Sequence, residues 1–139
     1  NSPELPINER VKRGINAFLH WKRDNKIEYI LSESKVYSKK YNYAGTCDLV
    51  AKIEGRLSVV DFKTGKGPYL DHLAQTAAYQ NALQEEHKWR FKDRWIVKVD
   101  KDTGDFHTYK LDNYKDHLKL FLNLLSIYQI DKKFKKIEK

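Results

Sequence analysis

The hydrophobic positions of this chain change their spacing several times, and each change predicts a different element of secondary structure. Residues 7 to 24 repeat apolar side chains three and four positions apart, which predicts an amphipathic helix. Its inward face should carry Val11, Ile15, Phe18 and Leu19. Runs rich in β-branched and aromatic residues predict strands at 28–38, 41–53, 56–62, 93–99 and 106–111.

Helical spacing returns at residues 71–86 and again from residue 113 onward. The inward side chains of the last helix should be Leu118, Phe121, Leu122, Leu125 and Tyr128. The resulting order of elements, α-β-β-β-α-β-β-α, predicts an α/β (α+β) fold.

Two of the predicted strands are joined by Glu54-Gly55, a short link that favours a tight hairpin. With a two-residue loop, Ile53 pairs with Arg56, and the same register places Asp48 directly opposite Asp61. Their Cβ atoms would then lie about 5 Å apart. Like charges in this position destabilise a sheet, so a cation between them would turn the pair into a binding site. A longer loop would separate the two acids, and that alternative stays open.

Lys63 lies two residues beyond Asp61, and alternation along a strand turns both side chains to one face. The same register would set Thr46 opposite Lys63 and turn Cys47 away from the acids. Apolar residues occupy both faces of the hairpin, which indicates a sheet that is covered on both sides. The acids and the lysine would then lie at one end of a largely buried sheet, where charges interact more strongly than in water.

Composition and net charge limit the classes of function that the protein could have. The 139 residues suffice for one domain with its own core, and 33% of them are charged. The net charge of +8 suits a polyanionic partner, whose binding weakens as the salt concentration rises. No apolar run is long enough to span a bilayer, and a single cysteine excludes an intramolecular disulfide framework.

Three short motifs follow one another: a glycine before an acid, an acid before a lysine, and a glutamine before a tyrosine. They are Gly45-x-x-Asp48, Asp61-x-Lys63 and Gln75-x-x-x-Tyr79. Together they resemble the PD-(D/E)xK nuclease superfamily in its RecB-like exonuclease branch, and are most similar to the phage-type and mitochondrial genome maintenance exonucleases. The resemblance runs from about residue 33 to residue 79, and Cys47 stands where the superfamily's name has proline.

The resemblance implies a restriction-endonuclease-like αβββαβ core, with a central mixed sheet flanked by helices on both faces. It also implies that residues 1–139 form a single nuclease domain, with or without the N-terminal helical part of the family.

The resemblance further implies that Asp48, Asp61 and Lys63 are the catalytic residues. Asp48 and Asp61 would bind one or two Mg²⁺ or Mn²⁺ ions, with the backbone carbonyl of Phe62 as a further ligand. Carboxylate oxygens suit these hard cations. Lys63 would position or deprotonate the attacking water, or offset charge in the transition state.

The third motif and the loop after Lys63 supply candidates for contact with nucleic acid. Gln75 and Tyr79 are four apart and therefore lie on one face of a helix. In the family such residues support the active site and contact the strand, and simple packing on the sheet is the alternative role. Thr64 and Lys66 lie where the chain leaves the site, so they are further candidates.

RecB-like enzymes usually carry one more metal ligand, a His or Glu well upstream of the first motif. His20 is the only upstream histidine here, and a surface histidine is its alternative reading. Glu33 begins the segment that resembles the family. It could bind the metal, contact and orient Lys63, or be an ordinary acidic residue of a strand.

These implications predict a metal-dependent DNA exonuclease that hydrolyses phosphodiester bonds in DNA recombination, repair or replication. Its substrate would be single-stranded DNA or a duplex end, with no membrane partner and an open oligomeric state. The alternatives are a catalytically impaired nucleic-acid-binding domain of the same fold, an endonuclease or nickase, and an unrelated interaction module that binds no metal. The expected location is the cytoplasm of a bacterial or phage-infected cell, or the mitochondrial matrix.

Overall fold

The computed structural model describes residues 7–138, and side chains as far as residue 135. The elements in this range are α1 (Ile7–Asp24), β1 (Glu28–Ser38), β2 (Tyr43–Ile53), β3 (Arg56–Thr64), α2 (Leu70–His87), β4 (Asp93–Val99), β5 (Phe106–Leu111) and α3 (Tyr114–Glu138). Each predicted element is present, and the observed ends lie within about two residues of the predicted ones. No helix in this range is both long enough and apolar enough to cross a membrane.

The strands form one sheet in the order β1-β2-β3-β4-β5. Neighbouring strands run antiparallel, except β3 and β4, which run parallel. A parallel pair needs a long crossover connection, and α2 provides it. The end of β3 therefore leads directly into the loop and helix that lie beside it.

Helices cover both faces of the sheet, as predicted. The core cluster under α2 and α3 includes Val50, Val59, Ala78, Leu83 and, at its edge, Phe121. The cluster under α1 includes Leu49, Ala51, Val60, Val97 and, at its edge, Phe18 and Trp21. Each fully buried aliphatic side chain contributes about 1.5–3 kcal/mol to the free energy of unfolding. The predicted α+β architecture, with a mixed central sheet between helices, is confirmed.

The hairpin of β2 and β3 has the predicted two-residue turn. Both residues of the Glu54-Gly55 turn have positive φ, 52° and 79°, as a type I′ turn requires. Ile53 pairs with Arg56, and the ladder keeps that register as far as Leu49 opposite Val60. The longer loop that would have separated the two acids is therefore excluded.

In strand β2, the regular alternation of side chains between the two faces of the sheet is interrupted at Asp48. Cys47 packs in the cluster under α2, whereas Leu49, two positions later, packs in the cluster under α1. The prediction that Cys47 points away from the acids is therefore wrong, because alternation is interrupted at Asp48. The predicted pair of Thr46 and Lys63 does not form either, since the β3 ladder ends before Thr46, which pairs with Lys35 of β1.

Helix α1 has the predicted extent, but its inward face is only partly the predicted one. Three of the residues assigned to that face are more than half exposed: Val11, Ile15 and Leu19. The helix lies against the sheet through Phe18, as predicted, and through Gly14, which was not predicted. A Cβ on Gly14 would lie 2.9 Å from Cγ1 of Val99, so the missing side chain permits this close approach.

The inward face of α3 is also shorter than predicted. Phe121 and Leu125 pack against the core under α2 and α3, but Tyr128 is 61% exposed. All side chains from residue 126 to residue 135 are exposed. The prediction that Tyr128 turns inward is wrong because this part of α3 extends beyond the surface on which it packs.

Candidate active site

The candidate site lies where the ladder between β2 and β3 stops. Asp48 and Asp61 are the first residues beyond the last pair, Leu49 and Val60. Oδ2 of Asp48 accepts a hydrogen bond of 2.8 Å from the backbone N–H of Phe62. The carboxylate thus takes the place of a backbone acceptor, and this bond holds Asp48 against β3.

Asp61 is the more buried of the two acids, with 3% of its side chain exposed. Burial, followed by a hydrogen bond with Asp48, raises the pKa of Asp61 to about 6, although the nearby Lys63 acts to lower it. Lys63 Nζ lies 3.0 Å from Oδ2 of Asp61, yet this buried oxygen accepts no hydrogen bond of good geometry from the described residues. A buried carboxylate oxygen without a full set of partners costs free energy.

Lys63 joins the acids to α2. Its Nζ donates a hydrogen bond of 2.9 Å to Oε1 of Gln75, in addition to its contact with Asp61. The lysine side chain is 23% exposed, so it is shielded but still open to solvent on one side. The second and third sequence motifs are therefore in direct contact, because α2 follows β3 and returns beside it.

The first and third motifs are also in contact. A Cβ on Gly45 would lie 3.0 Å from Cε1 of Tyr79, so only a glycine leaves normal space for the ring. Tyr79 is 9% exposed. Burial, followed by the charges of Asp61 and Asp48, raises the pKa of Tyr79 to about 12. Its hydroxyl therefore stays protonated beside the acids, and the ring acts as packing support for β2.

The chemistry of this donor set suits a hard divalent cation. Asp48 and Asp61 offer adjacent carboxylates, and the buried Oδ2 of Asp61 has no hydrogen-bond partner among the described residues. Mg²⁺ is often bound by one or two carboxylates together with waters and substrate phosphates. No group of three His, Cys, Asp or Glu side chains that could hold a metal forms among the described residues. The side chains thus fit a two-carboxylate metal site.

Neither upstream candidate completes a third position. His20 is exposed on α1, and its Nδ1 lies 2.8 Å from Nη2 of Arg23. The structure does not bring His20 to the acids, because α1 covers the face of the sheet opposite to α2.

Glu33 of β1 lies level with Asp48 of β2, because the residues on either side are paired, Ser32 with Leu49 and Ser34 with Cys47. The backbone φ of Glu33 is positive, at 46°. Both acids line an open cavity of about 460 Å³. Glu33 is exposed and does not join the two aspartates in a three-ligand group, since no such group forms in this part of the chain.

The remaining predicted residues lie at the rim of the site. Thr64 and Lys66 are exposed, the first at the end of β3 and the second in the loop that follows. That loop is anchored where Nζ of Lys98 donates a hydrogen bond of 3.1 Å to the carbonyl of Gly67. The side chain of Phe62 points to the other face of the sheet and contacts Phe18. The roles of Thr64, Lys66 and the Phe62 carbonyl stay predictions.

Arg94 is a buried residue near the site that the sequence patterns did not single out. The residue is 2% exposed. Its guanidinium donates hydrogen bonds to the carbonyls of Leu73 and Asp112, to the hydroxyl of Thr76, and to Nδ1 of His117. It thereby connects β4 with α2 and with the start of α3. The available signal was an arginine directly before the apolar run Trp95-Ile96-Val97 of β4.

Residues 7–132 match the family model of the PD-(D/E)XK nuclease superfamily. Mitochondrial genome maintenance exonuclease 1 of Homo sapiens is 32% identical over 88 residues, which cover 58% of this chain and 26% of that protein. The protein of the same name in Xenopus tropicalis is 33% identical over 88 residues, with coverages of 58% and 25%. The chain thus spans about a quarter of the length of these relatives.

A crystal structure of a protein from Eubacterium rectale, provisionally assigned as an exonuclease, has a similar fold. It superposes with a TM-score of 0.60 at 14% identity, covering 86% of this chain and 51% of the other. At this identity the match supports the restriction-endonuclease-like fold alone. The family match extends over most of the chain and includes all three motifs, and the chain therefore belongs to the PD-(D/E)XK nuclease superfamily.

Proposed function

We propose that this domain is a metal-dependent exonuclease that hydrolyses phosphodiester bonds of DNA. The observation that supports it most strongly is the buried Asp61, which lies against Asp48 and has an oxygen that lacks a hydrogen bond. Two adjacent carboxylates are unfavourable in a protein without a cation. They occupy the positions that the superfamily's motifs assign to metal ligands.

In this proposal Asp48 and Asp61 hold the cation, and the backbone carbonyl of Phe62 is a further oxygen donor. Mg²⁺ or Mn²⁺, when bound, polarises the scissile phosphate and lowers the pKa of a coordinated water. The aspartates supply the negative charge that retains the ion, and the burial of Asp61 strengthens that interaction relative to bulk water.

Lys63 acts on the phosphate in this proposal. As water adds to phosphorus and the bond to the leaving oxygen breaks, negative charge develops on the phosphoryl oxygens. An ammonium fixed at the rim of the acids stabilises that charge without reorganising. Gln75 fixes it, because the hydrogen bond from Nζ to Oε1 removes rotamers that would point Lys63 into solvent.

The other parts of the proposal draw on the relatives and on charge. Exonuclease activity and a role in DNA maintenance are transferred from the names of the two mitochondrial relatives. The net charge of +8 favours a polyanionic substrate. Exposed cations at the rim, such as Lys66, would meet the phosphates that flank the one being cut.

The test uses end-labelled linear DNA, single-stranded and duplex, incubated with Mg²⁺ or Mn²⁺. We expect cleavage that EDTA abolishes. Asp61→Asn should remove both cleavage and Mn²⁺ binding measured by calorimetry. Lys63→Ala should keep Mn²⁺ binding and lower kcat by about 10²- to 10⁴-fold, the range for a positioned proton-transfer or charge-stabilising group.

Matched controls separate the site from general effects. Asp102→Asn and Lys52→Ala change exposed residues of the same types outside the site and should leave cleavage unchanged. A circular single strand distinguishes the alternatives, because an exonuclease leaves it intact and an endonuclease opens it. Metal binding without cleavage of any substrate would favour the impaired nucleic-acid-binding domain instead.

A further inference from the structure

A second concave surface adjoins the candidate active site. It is a cavity of about 450 Å³ between the first turns of α2 and the middle of α3, and Lys63 lines part of it. Because Lys63 lies 3.0 Å from Asp61, the cavity begins beside the catalytic acids. The mechanism proposed above leaves this space unused.

The two sides of the cavity differ in chemistry. Leu124 and Tyr128 of α3 form an apolar side, and they are 44% and 61% exposed. Asp71, His72 and Gln75 of α2 form a polar side. A nucleobase has apolar faces and hydrogen-bonding edges, so it is complementary to a tyrosine ring that lies opposite polar groups.

The charges of the cavity favour a base over a phosphate. Asp71 is exposed on the lining and would repel a phosphate, whereas the amino groups of adenine, cytosine and guanine can donate hydrogen bonds to its carboxylate. The cation that lines the cavity, Lys63, is already engaged with Asp61 and Gln75. The phosphate is therefore expected at the acids and the attached base in the cavity.

We propose that this cavity receives an unpaired base of the strand being cut, next to the scissile phosphate, and that Tyr128 is its stacking platform. The inference rests on the proposed nuclease function and adds to it a residue that positions the substrate strand. A base can enter the cavity only when it is not paired with a base of the complementary strand.

The first test compares variants of α3 in the cleavage of a single-stranded oligodeoxynucleotide. Tyr128→Ala should raise KM roughly 5- to 150-fold, the range for the loss of one base–aromatic stack, with kcat little changed. Tyr128→Phe keeps the ring and should keep the KM of the wild type. Phe134→Ala removes an aromatic ring that is 59% exposed on the same helix but outside the cavity, and should also leave KM unchanged.

The second test moves a single abasic nucleotide along the oligonucleotide. Wild-type cleavage should slow at one register, where the missing base would have entered the cavity. Tyr128→Ala should show no further loss at that register, because the stack is already absent. This coupling would not arise if Tyr128 merely stabilised α3, and thermal unfolding of each variant checks that point.

The outcomes separate the inference from the function on which it rests. A wild type that binds metal but cleaves no DNA overturns both. A wild type that cleaves DNA, with Tyr128→Ala indistinguishable from Phe134→Ala, overturns the inference alone. Tyr128→Phe with the same defect as Tyr128→Ala also overturns it, because the hydroxyl would then matter rather than the ring.

Discussion

Asp61 illustrates how a site residue can be unfavourable for folding. Its side chain is 3% exposed, and burial followed by Asp48 raises its pKa to about 6. The unfolded chain ionises near the ordinary value of 3.8, whereas the folded protein keeps the proton longer. Stability therefore falls as the pH rises from about 4 to about 6, and it stays lower above that range.

Asp61→Asn should therefore stabilise the protein in EDTA at pH 8. We expect the free energy of unfolding to rise by roughly 1–3 kcal/mol, because about two pKa units of unfavourable charge are removed. Urea unfolding in the presence of EDTA measures this change in the free energy of unfolding. The control Asp102→Asn changes an exposed residue, and its free energy of unfolding should stay within about 0.5 kcal/mol of the wild type. A loss of stability would mean that the contact of Asp61 with Lys63 outweighs the cost of burial.

At the scale of elements, the site depends on how closely α2 approaches β2. Gly45 leaves space for the ring of Tyr79, and the hydroxyl of Tyr43 donates a hydrogen bond of 2.6 Å to the carbonyl of Ala78. These contacts hold α2 at a distance that lets Gln75 reach Lys63. A larger side chain at position 45 would push the helix away from the strand.

Gly45→Val should destabilise the protein by about 1–3 kcal/mol, the usual cost of overpacking, and it should also lower cleavage. The neighbouring Ala44→Val changes an exposed position of the same strand and serves as the control. Chemical unfolding and kcat measure the two effects. In a Tyr79→Ala background the same substitution should cost less, because the clashing ring is gone. Equal costs in both backgrounds would disprove the contact.

At the scale of the whole molecule, Arg94 links the sheet to both helices on one face. Burial lowers the pKa of Arg94 to about 10, so it remains charged near neutral pH. It donates a hydrogen bond of 2.9 Å to Nδ1 of His117, which must therefore be unprotonated at that nitrogen. Burial, followed by the charge of Arg94, lowers the pKa of His117, and Asp116 opposes that shift.

The stability of the protein should therefore fall when His117 is protonated. Because its folded pKa lies below the ordinary 6.5, the unfolded chain binds more protons in this range. The contribution of neutral His117 to the free energy of unfolding is complete above pH 6.5. It is lost as the pH falls through the pKa of His117 in the folded protein. Melting temperatures between pH 7.5 and pH 5 measure it. His117→Asn should flatten that profile, while His20→Asn, at an exposed position, should not; equal slopes in all three proteins would contradict the prediction.

Local pattern was sufficient to predict the elements, the hairpin and the neighbourhood of the two acids. The Glu54-Gly55 turn sets the register of β2 and β3, and that register brings Asp48 and Asp61 together at the end of the ladder. Turn type and hydrophobic period depend on residues that are adjacent in the chain. For that reason they can be read from the sequence.

Other features depend on packing between distant segments. The interruption of alternation at Asp48, the contact of Gly45 with Tyr79, and the burial of Arg94 all need the docked helices. The exposure of Tyr128 depends on where the surface under α3 ends. Periodicity tells which side chains share a face of a helix, but only the position of the neighbouring element decides which part of that face is covered.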